Sequence, residues 1–223
     1  MKHESSWIQR SLPRLDGEGK VDGSIKFFSD MYPPGCLYAA TVRSPYPRAR
    51  ISRIDVSKAE RASGVRCVVT HRDVKGVNGY GVFFTDAPVL CSKEVNFKGD
   101  PVVLVAADSE EDAGRAVELV DIGYEELPPV LSIEDALKPE APAIHAEGNV
   151  ARRSVIKRGD FGKAIKEATH VLHATYRTQK QKHMFIESEA GIGFVDDQGV
   201  VNLLVVPDYG GAGYDAFVLG SNR

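Results

Sequence analysis

Hydrophobic and polar positions along this chain change period where the elements change, and the clearest succession lies between residues 100 and 126. Residues 102–106 are an unbroken apolar run of strand length, which predicts a strand covered on both faces. Ser109 with Asp112 three residues on forms an acidic variant of the capping box, and the acids at 110–112 favour the positive end of a helix dipole. Ala113, Ala116, Val117 and Val120 then recur at helical spacing. So narrow a stripe of small residues lets a helix lie close on a sheet while Glu110, Glu111, Arg115 and Glu118 face water. Val120, Ile122 and Tyr124 alternate with Asp121, Gly123 and Glu125, predicting a second, half-exposed strand that Pro128-Pro129 ends. Burying Val117 contributes roughly 1.5–3 kcal/mol, so Val117→Asp is expected to unfold this domain.

Before this unit, residues 1–24 carry Pro13, Gly17, Gly19 and Gly23 among alternating charges and read as an irregular arm. The turn Pro33-Pro34-Gly35 launches a strand over 36–43 whose two faces are both fairly apolar, as in an interior strand. Residues 44–51, SPYPRARI, fit a proline-stiffened crossover with solvated Arg48 and Arg50, or else a docking edge for another subunit. A short helix is expected over 54–62, capped by Asp55 or Ser57 and stopped by Gly64. A strand over 65–70 should place Val65, Cys67 and Val69 on one side, with a helical turn at 71–74 after it. Gly76, Gly79 and Gly81 follow no strand and do not keep the G-x-G-x-x-G order, so they make a flexible loop of entrance-lining length and not a nucleotide fingerprint.

Beyond the central unit, a short helix is predicted over 132–137, and residues 137–153 then lose all periodicity, as a linker does. His145 within it is expected to be solvated. Gly159-Asp160 caps a helix bearing Phe161, Ala164, Ile165 and Ala168 on one face. Residues 169–178 alternate as a strand, and 191–195 pairs with 200–206 through Asp197-Gln198-Gly199. This second unit ends in an apolar run with little to cover it, which predicts a continuation or a partner.

Bulk properties narrow the class. With 223 residues the chain suits one to two domains, and a net charge of -3 gives no basic face for nucleic acid. The first 17 residues lack the apolar core of a secretory signal and no stretch approaches 18 apolar residues, so neither a leader nor a membrane span is expected, and the cytoplasm is the default location. Cys36, Cys67 and Cys91 are odd in number and far apart, which predicts buried free thiols. The six histidines include no HExxH, which argues against a zinc site built by this chain.

The landmarks SLPRLDGEGKVDG, PPGCLYAATVRSPYPRARI, IDVSKAERASGV, EVNFKGDPVVLVAA, DIGYEELPPV, RGDFGKAI and QKHMFIESE occur in an order that resembles the molybdenum-containing subunit of the xanthine dehydrogenase and aldehyde oxidase family. The resemblance covers residues 8 to about 205. It implies an α+β chain: an arm at 1–24, an α/β hammerhead domain at 25–136, a linker at 137–154, and the incomplete, truncated start of a molybdopterin-binding domain at 155–223. It further implies oxidative hydroxylation of a purine, N-heterocycle or aldehyde with water as the oxygen source. Electrons would pass from molybdenum to [2Fe-2S] and FAD groups on an iron-sulfur subunit and an FAD-binding subunit. The remainder of the molybdopterin-binding subunit would supply the glycine-rich loop, the substrate-positioning arginine and the glutamate base, so no catalytic residue and no metal ligand is assigned to this chain.

Gln181, His183 and Glu187 match the family's Q-x-H-x-x-x-E pattern. They are candidates for stiffening the cofactor pocket from behind the groups that touch it; a polar network pinning a strand end is the alternative. Glu187 and Glu189 lie two apart, but nothing in the sequence brings a substrate to them. The family's glutamine at the end of the last predicted strand aligns with Asp208, whose carboxylate would repel an anionic cofactor where an amide would donate. Gly210, Gly211 and Gly213 come too soon after that strand to be the family's loop. The chain by itself is therefore expected to be inactive, and a non-catalytic assembly module derived from the family is the competing expectation.

Overall fold

The apolar run at the centre of the pattern is also the central strand of a sheet. A computed structural model of the chain describes residues 11–27, 30–81, 84–181, 184 and 189–205. Its first region contains α1 (Gly17–Val21), β1 (Tyr38–Arg43), β2 (Ala49–Asp55), α2 (Ser57–Glu60), β3 (Val65–Val69), β4 (Glu94–Val95), β5 (Pro101–Ala107), α3 (Glu110–Glu118), β6 (Asp121–Glu126) and α4 (Ile133–Ala136). Two antiparallel sheets result, ordered β1-β5-β3 and β4-β2-β6. Strand β5 therefore leads through α3 into a strand of the other sheet, and β5 and β6 are not neighbours.

Val103, Val105 and Ala107, on one face of β5, have no exposed surface. On the other face Val102 is as deeply buried, but Leu104 and Ala106 are half-covered, so the expectation of two sealed faces holds only at one end. Val102 and Val103 share an apolar cluster with Ala49 of β2 and Val95 of β4, which joins the sheets. Helix α3 closes a second cluster through Ala116, Val105 and Ala59. Ser109 caps it as expected, its oxygen accepting the Asp112 N–H at 3.1 Å. Small residues matter here because Ala113 and Ala116 are buried to within 1% and leave no room for a longer chain. Val117 lies at the margin, half-buried.

Strand β2 departs most from the sequence reading. Residues 44–48, with their two prolines, do cross from β1 of one sheet to β2 of the other, but 49–51 are not part of that crossover and form no docking edge: they open β2, the middle strand of its sheet, with both edges paired. A bulge between Ile51 and Arg53 explains why alternation hid it: Ala49, Ile51 and Ile54 turn inward only if Ser52 and Arg53 count as one position. Gly123 faces this bulge, and a Cβ there would lie 2.6 Å from the Ser52 hydroxyl. Ile54 and Asp55 thus end a strand instead of starting a helix, and α2 is one turn beginning at Ser57, whose N–H the Asp55 carboxylate accepts at 3.0 Å. Gly64 follows at φ +81, as a helix stop requires.

Patterning reports faces and not edges. Strand β1 is an edge strand among the described residues; α3 packs against it, and its Val42 joins the apolar cluster of Ala49, Val95, Val102 and Val103. Another bulge, between Val65 and Cys67, turns Cys67 outward; Cys36 is half-exposed and only Cys91 is buried, so the expectation of three buried thiols fails for two. The arm contains one helical turn, α1. The glycine-rich segment is pinned: Tyr80 and Ala87 exchange backbone hydrogen bonds at 2.8 and 3.2 Å.

Residues 137–153 contain neither helix nor strand, yet they are tied down locally. Asn149 accepts from the Ile144 N–H at 2.9 Å and donates to the carbonyls of Ala136 and Pro142. His145 is not simply solvated, since its Nδ1 lies 2.9 Å from the Asp86 carboxylate. Beyond them come α5 (Phe161–Glu167), capped by Asp160, and the hairpin β7 (Gly191–Val195) and β8 (Val201–Val205). Gly199 at φ +79 closes that hairpin, and the Asp196 carboxylate accepts from the Gln198 and Val200 N–H groups. The strand expected over 169–178 does not form, because no second strand completes its ladder among the described residues.

Candidate functional site

Turn chemistry builds one opening in the first region. The turn at Pro33-Pro34-Gly35, with Gly35 at φ +77 and the Cys36 N–H donating to the Pro33 carbonyl at 3.1 Å, folds Tyr32 back over Tyr38. The rings stack at 6.4 Å and 27°. With Asp108, Ser109, Glu110 and Glu111 they line an open cleft of about 640 Å³. Its acids are largely answered: Asp108 accepts from Arg66 at 2.7 Å and Glu111 from Arg115 at 2.7 Å. The Ser109 hydroxyl, with help from Arg115, holds the Asp112 carboxyl below its usual range although desolvation opposes it. These contacts cap a helix; they place no nucleophile beside a base. Two tyrosines flanking a Pro-Pro-Gly turn were the sequence signal for this cleft, and patterning alone passes over it.

Buried titratable groups in the first region serve packing. Burial, with the Asp100 carboxylate adding to it, pushes the Cys91 thiol up to about 12, so it stays protonated and is neither nucleophile nor ligand. Burial likewise raises Tyr124, whose ring packs 5.2 Å from that of Tyr46. Among the described residues no group of three or more His, Cys, Asp or Glu side chains could hold a metal, and no helix is long and apolar enough to cross a membrane.

Of the residues singled out from the sequence, Gln181 is exposed and outside regular structure. His183 and Glu187 lie outside the described residues, as do Asp208, Gly210, Gly211 and Gly213, so the three candidates are not brought together here. Met184, next to His183, takes φ +53, an uncommon left-handed conformation for a residue with a side chain. Around Gln181 the described residues form no enclosure: Tyr176 is 86% and Met184 79% exposed. A buried pterin needs a walled site with converging donors, and the described part of this chain does not supply one. Gln181 offers a single exposed amide.

Comparison with known proteins gives this geometry its context. Residues 22–128 match the profile described as "Aldehyde oxidase and xanthine dehydrogenase, a/b hammerhead domain". Residues 144–206 match that of the molybdopterin cofactor-binding domain. A probable xanthine dehydrogenase subunit from Bacillus subtilis is 40% identical over 85% of this chain and 25% of its own length. The nicotinate dehydrogenase large molybdopterin subunit of Eubacterium barkeri is 35% identical over 89% of this chain and 47% of its own. The solved aldehyde oxidoreductase of Desulfovibrio gigas superposes with a TM-score of 0.86 at 30% identity, over 95% of this chain and 25% of that one. The chain thus spans about a quarter to a half of the length of these relatives. Hammerhead fold, matched profiles and matched structures together show that the chain belongs to the xanthine dehydrogenase and aldehyde oxidase family and corresponds to the N-terminal portion of its molybdenum-binding subunit.

Proposed function

We propose that this chain works as part of a molybdenum hydroxylase that oxidatively hydroxylates a purine, N-heterocycle or aldehyde with oxygen from water. The hammerhead region is the rigid scaffold, and residues 155 onward contribute to a cofactor domain completed by other polypeptide. Molybdopterin-bound molybdenum supplies the redox chemistry when present; the chain's own part is to hold and orient. Iron-sulfur and FAD-binding partners carry the electrons away, in the cytoplasm, and the chain alone is inactive.

The observation that carries this reading is the contrast in cover along the segment matched to the cofactor-binding profile. Phe161 is 80%, Leu172 90% and Tyr176 86% exposed there, beside a scaffold whose core side chains are sealed. Exposed apolar surface on that scale belongs against other protein. The test is elemental analysis of the native complex captured through this chain, with hydroxylase assays on the complex and on the chain alone. Molybdenum in the complex, activity in the complex and none in the isolated chain are expected. A native complex free of molybdenum would overturn the reading.

Asp208 favours a second reading. If its carboxylate occupies the position of the family's glutamine, the assembly would be a non-catalytic descendant, and Asp208→Gln would be needed before the complex retained cofactor.

A further inference from the structure

We propose that Asn78 is a modification site: an asparagine-glycine pair that deamidates spontaneously whenever its segment opens and that the closed fold holds unreactive through Leu90. Asn78-Gly79 is the dipeptide in which the reaction meets least hindrance, because glycine has no Cβ to block the approach of its nitrogen to the preceding side chain. The Gly79 nitrogen bonds to Cγ of Asn78, and the Cγ–Nδ2 bond breaks. Ammonia leaves with the proton from the Gly79 N–H, and water then opens the resulting succinimide to aspartate or isoaspartate.

In the closed structure the side chain that must rotate and react is held in place. The Asn78 amide makes a two-point clasp on one residue: Nδ2 donates to the Leu90 carbonyl at 2.8 Å, and Oδ1 accepts from the Leu90 N–H at 3.0 Å. Gly79 is buried, and a Cβ built on it would meet the Thr85 carbonyl at 3.0 Å, so its backbone packs closely against Thr85. The Tyr80–Ala87 bridge holds the same segment closed.

The product cannot restore the clasp. A carboxylate still accepts the Leu90 N–H, but it sets an anionic oxygen against the Leu90 carbonyl where a donor stood, and Leu90 is only 6% exposed. Loss of the ammonia makes conversion one-way, and it marks molecules whose segment has opened. Cys91, the next residue, is 1% exposed and reports that opening through its thiol.

Trypsin releases 76–93 as one peptide whose only asparagine is Asn78, so mass spectrometry reads the conversion directly. In mildly alkaline buffer the urea-unfolded chain is expected to convert at least roughly tenfold faster than the folded chain, as a closing free energy of about 1.4 kcal/mol or more requires. Equal rates in the two states, or no conversion in the unfolded chain, would overturn the proposal. In the folded Asn78→Asp variant, Cys91 should react with a maleimide several-fold faster than in the unaltered protein; an equally protected Cys91 would show that the clasp does not hold the segment. If that variant does not fold, the comparison of folded and unfolded rates still decides.

Discussion

Helix α3 after strand β5 and helix α5 ahead of the β7–β8 hairpin in the chain are written in the same local code with opposite results. Both helices open on a side-chain cap, Ser109 in one and Asp160 in the other. Each is associated with apolar strands bounded by turn residues. Yet Ala116 and Val105 have no exposed surface, whereas Phe161 is 80% exposed and Leu203 40%. Caps and turns decide that a helix or hairpin exists; only cover makes it contribute to stability, since burial yields roughly 25 cal/mol per Å² of apolar surface removed from water. The first region is therefore expected to carry the cooperative unfolding of the described chain, and the second to contribute little until other protein covers it.

Substitutions test this contrast across a graded series. The largest effect is expected for Val105→Asp, which puts a charge at a site with no exposed surface and should cost upwards of about 4 kcal/mol, abolishing the urea transition. Val117→Asp, at the half-buried margin of α3, should lower the melting temperature by an amount equivalent to about 1–3 kcal/mol without unfolding the domain. That is milder than patterning alone predicts, because the new carboxylate can reach water. Ser109→Ala removes the cap and should cost about 1 kcal/mol in urea titrations.

This last variant also changes the response to acid. Asp112 is held below its ordinary value of 3.8 chiefly by the Ser109 hydroxyl. A depressed carboxylate stabilises the fold fully above its unfolded-state pKa and loses that contribution as pH falls through the lowered folded-state value. Stability of the unaltered chain should therefore drop as pH falls below about 3.8, and Ser109→Ala should flatten that drop. The smallest effect is expected for Leu203→Asp in β8, within about 0.5 kcal/mol in the same urea assay. If it cost as much as Val105→Asp, the two regions would be one cooperative unit and the contrast would fail.

Much of the fold was legible from residue pattern, in particular places and for particular reasons. The β5–α3–β6 succession, the caps at Ser109 and Asp160 and the Gly199 hairpin could all be read, because each depends on residues within one or two turns of one another. Strand β2 could not, since its bulge at Ser52 and Arg53 breaks the two-residue period and is accommodated only by Gly123, far along the chain. The outward turn of Cys67 was lost to a bulge in the same way. Of the candidate site, the pattern named Gln181, His183 and Glu187, but only Gln181 is among the described residues, and it stands exposed. The Tyr32–Tyr38 cleft and the Asn78–Leu90 clasp needed the chain to be folded, since each depends on partners brought together by a turn or a pinned loop.

By itself, the sequence determined the family, the β5–α3–β6 succession, the capped starts of α3 and α5 and the apolar stripe that lays α3 on a sheet, because capping, periodicity and turn preference act over a few residues. Tertiary structure alone decided that β2 centres a second sheet apart from β5, that β1 is an edge, and which apolar faces are sealed. Cover and strand neighbours are properties of residues distant in the chain, and no local period records them.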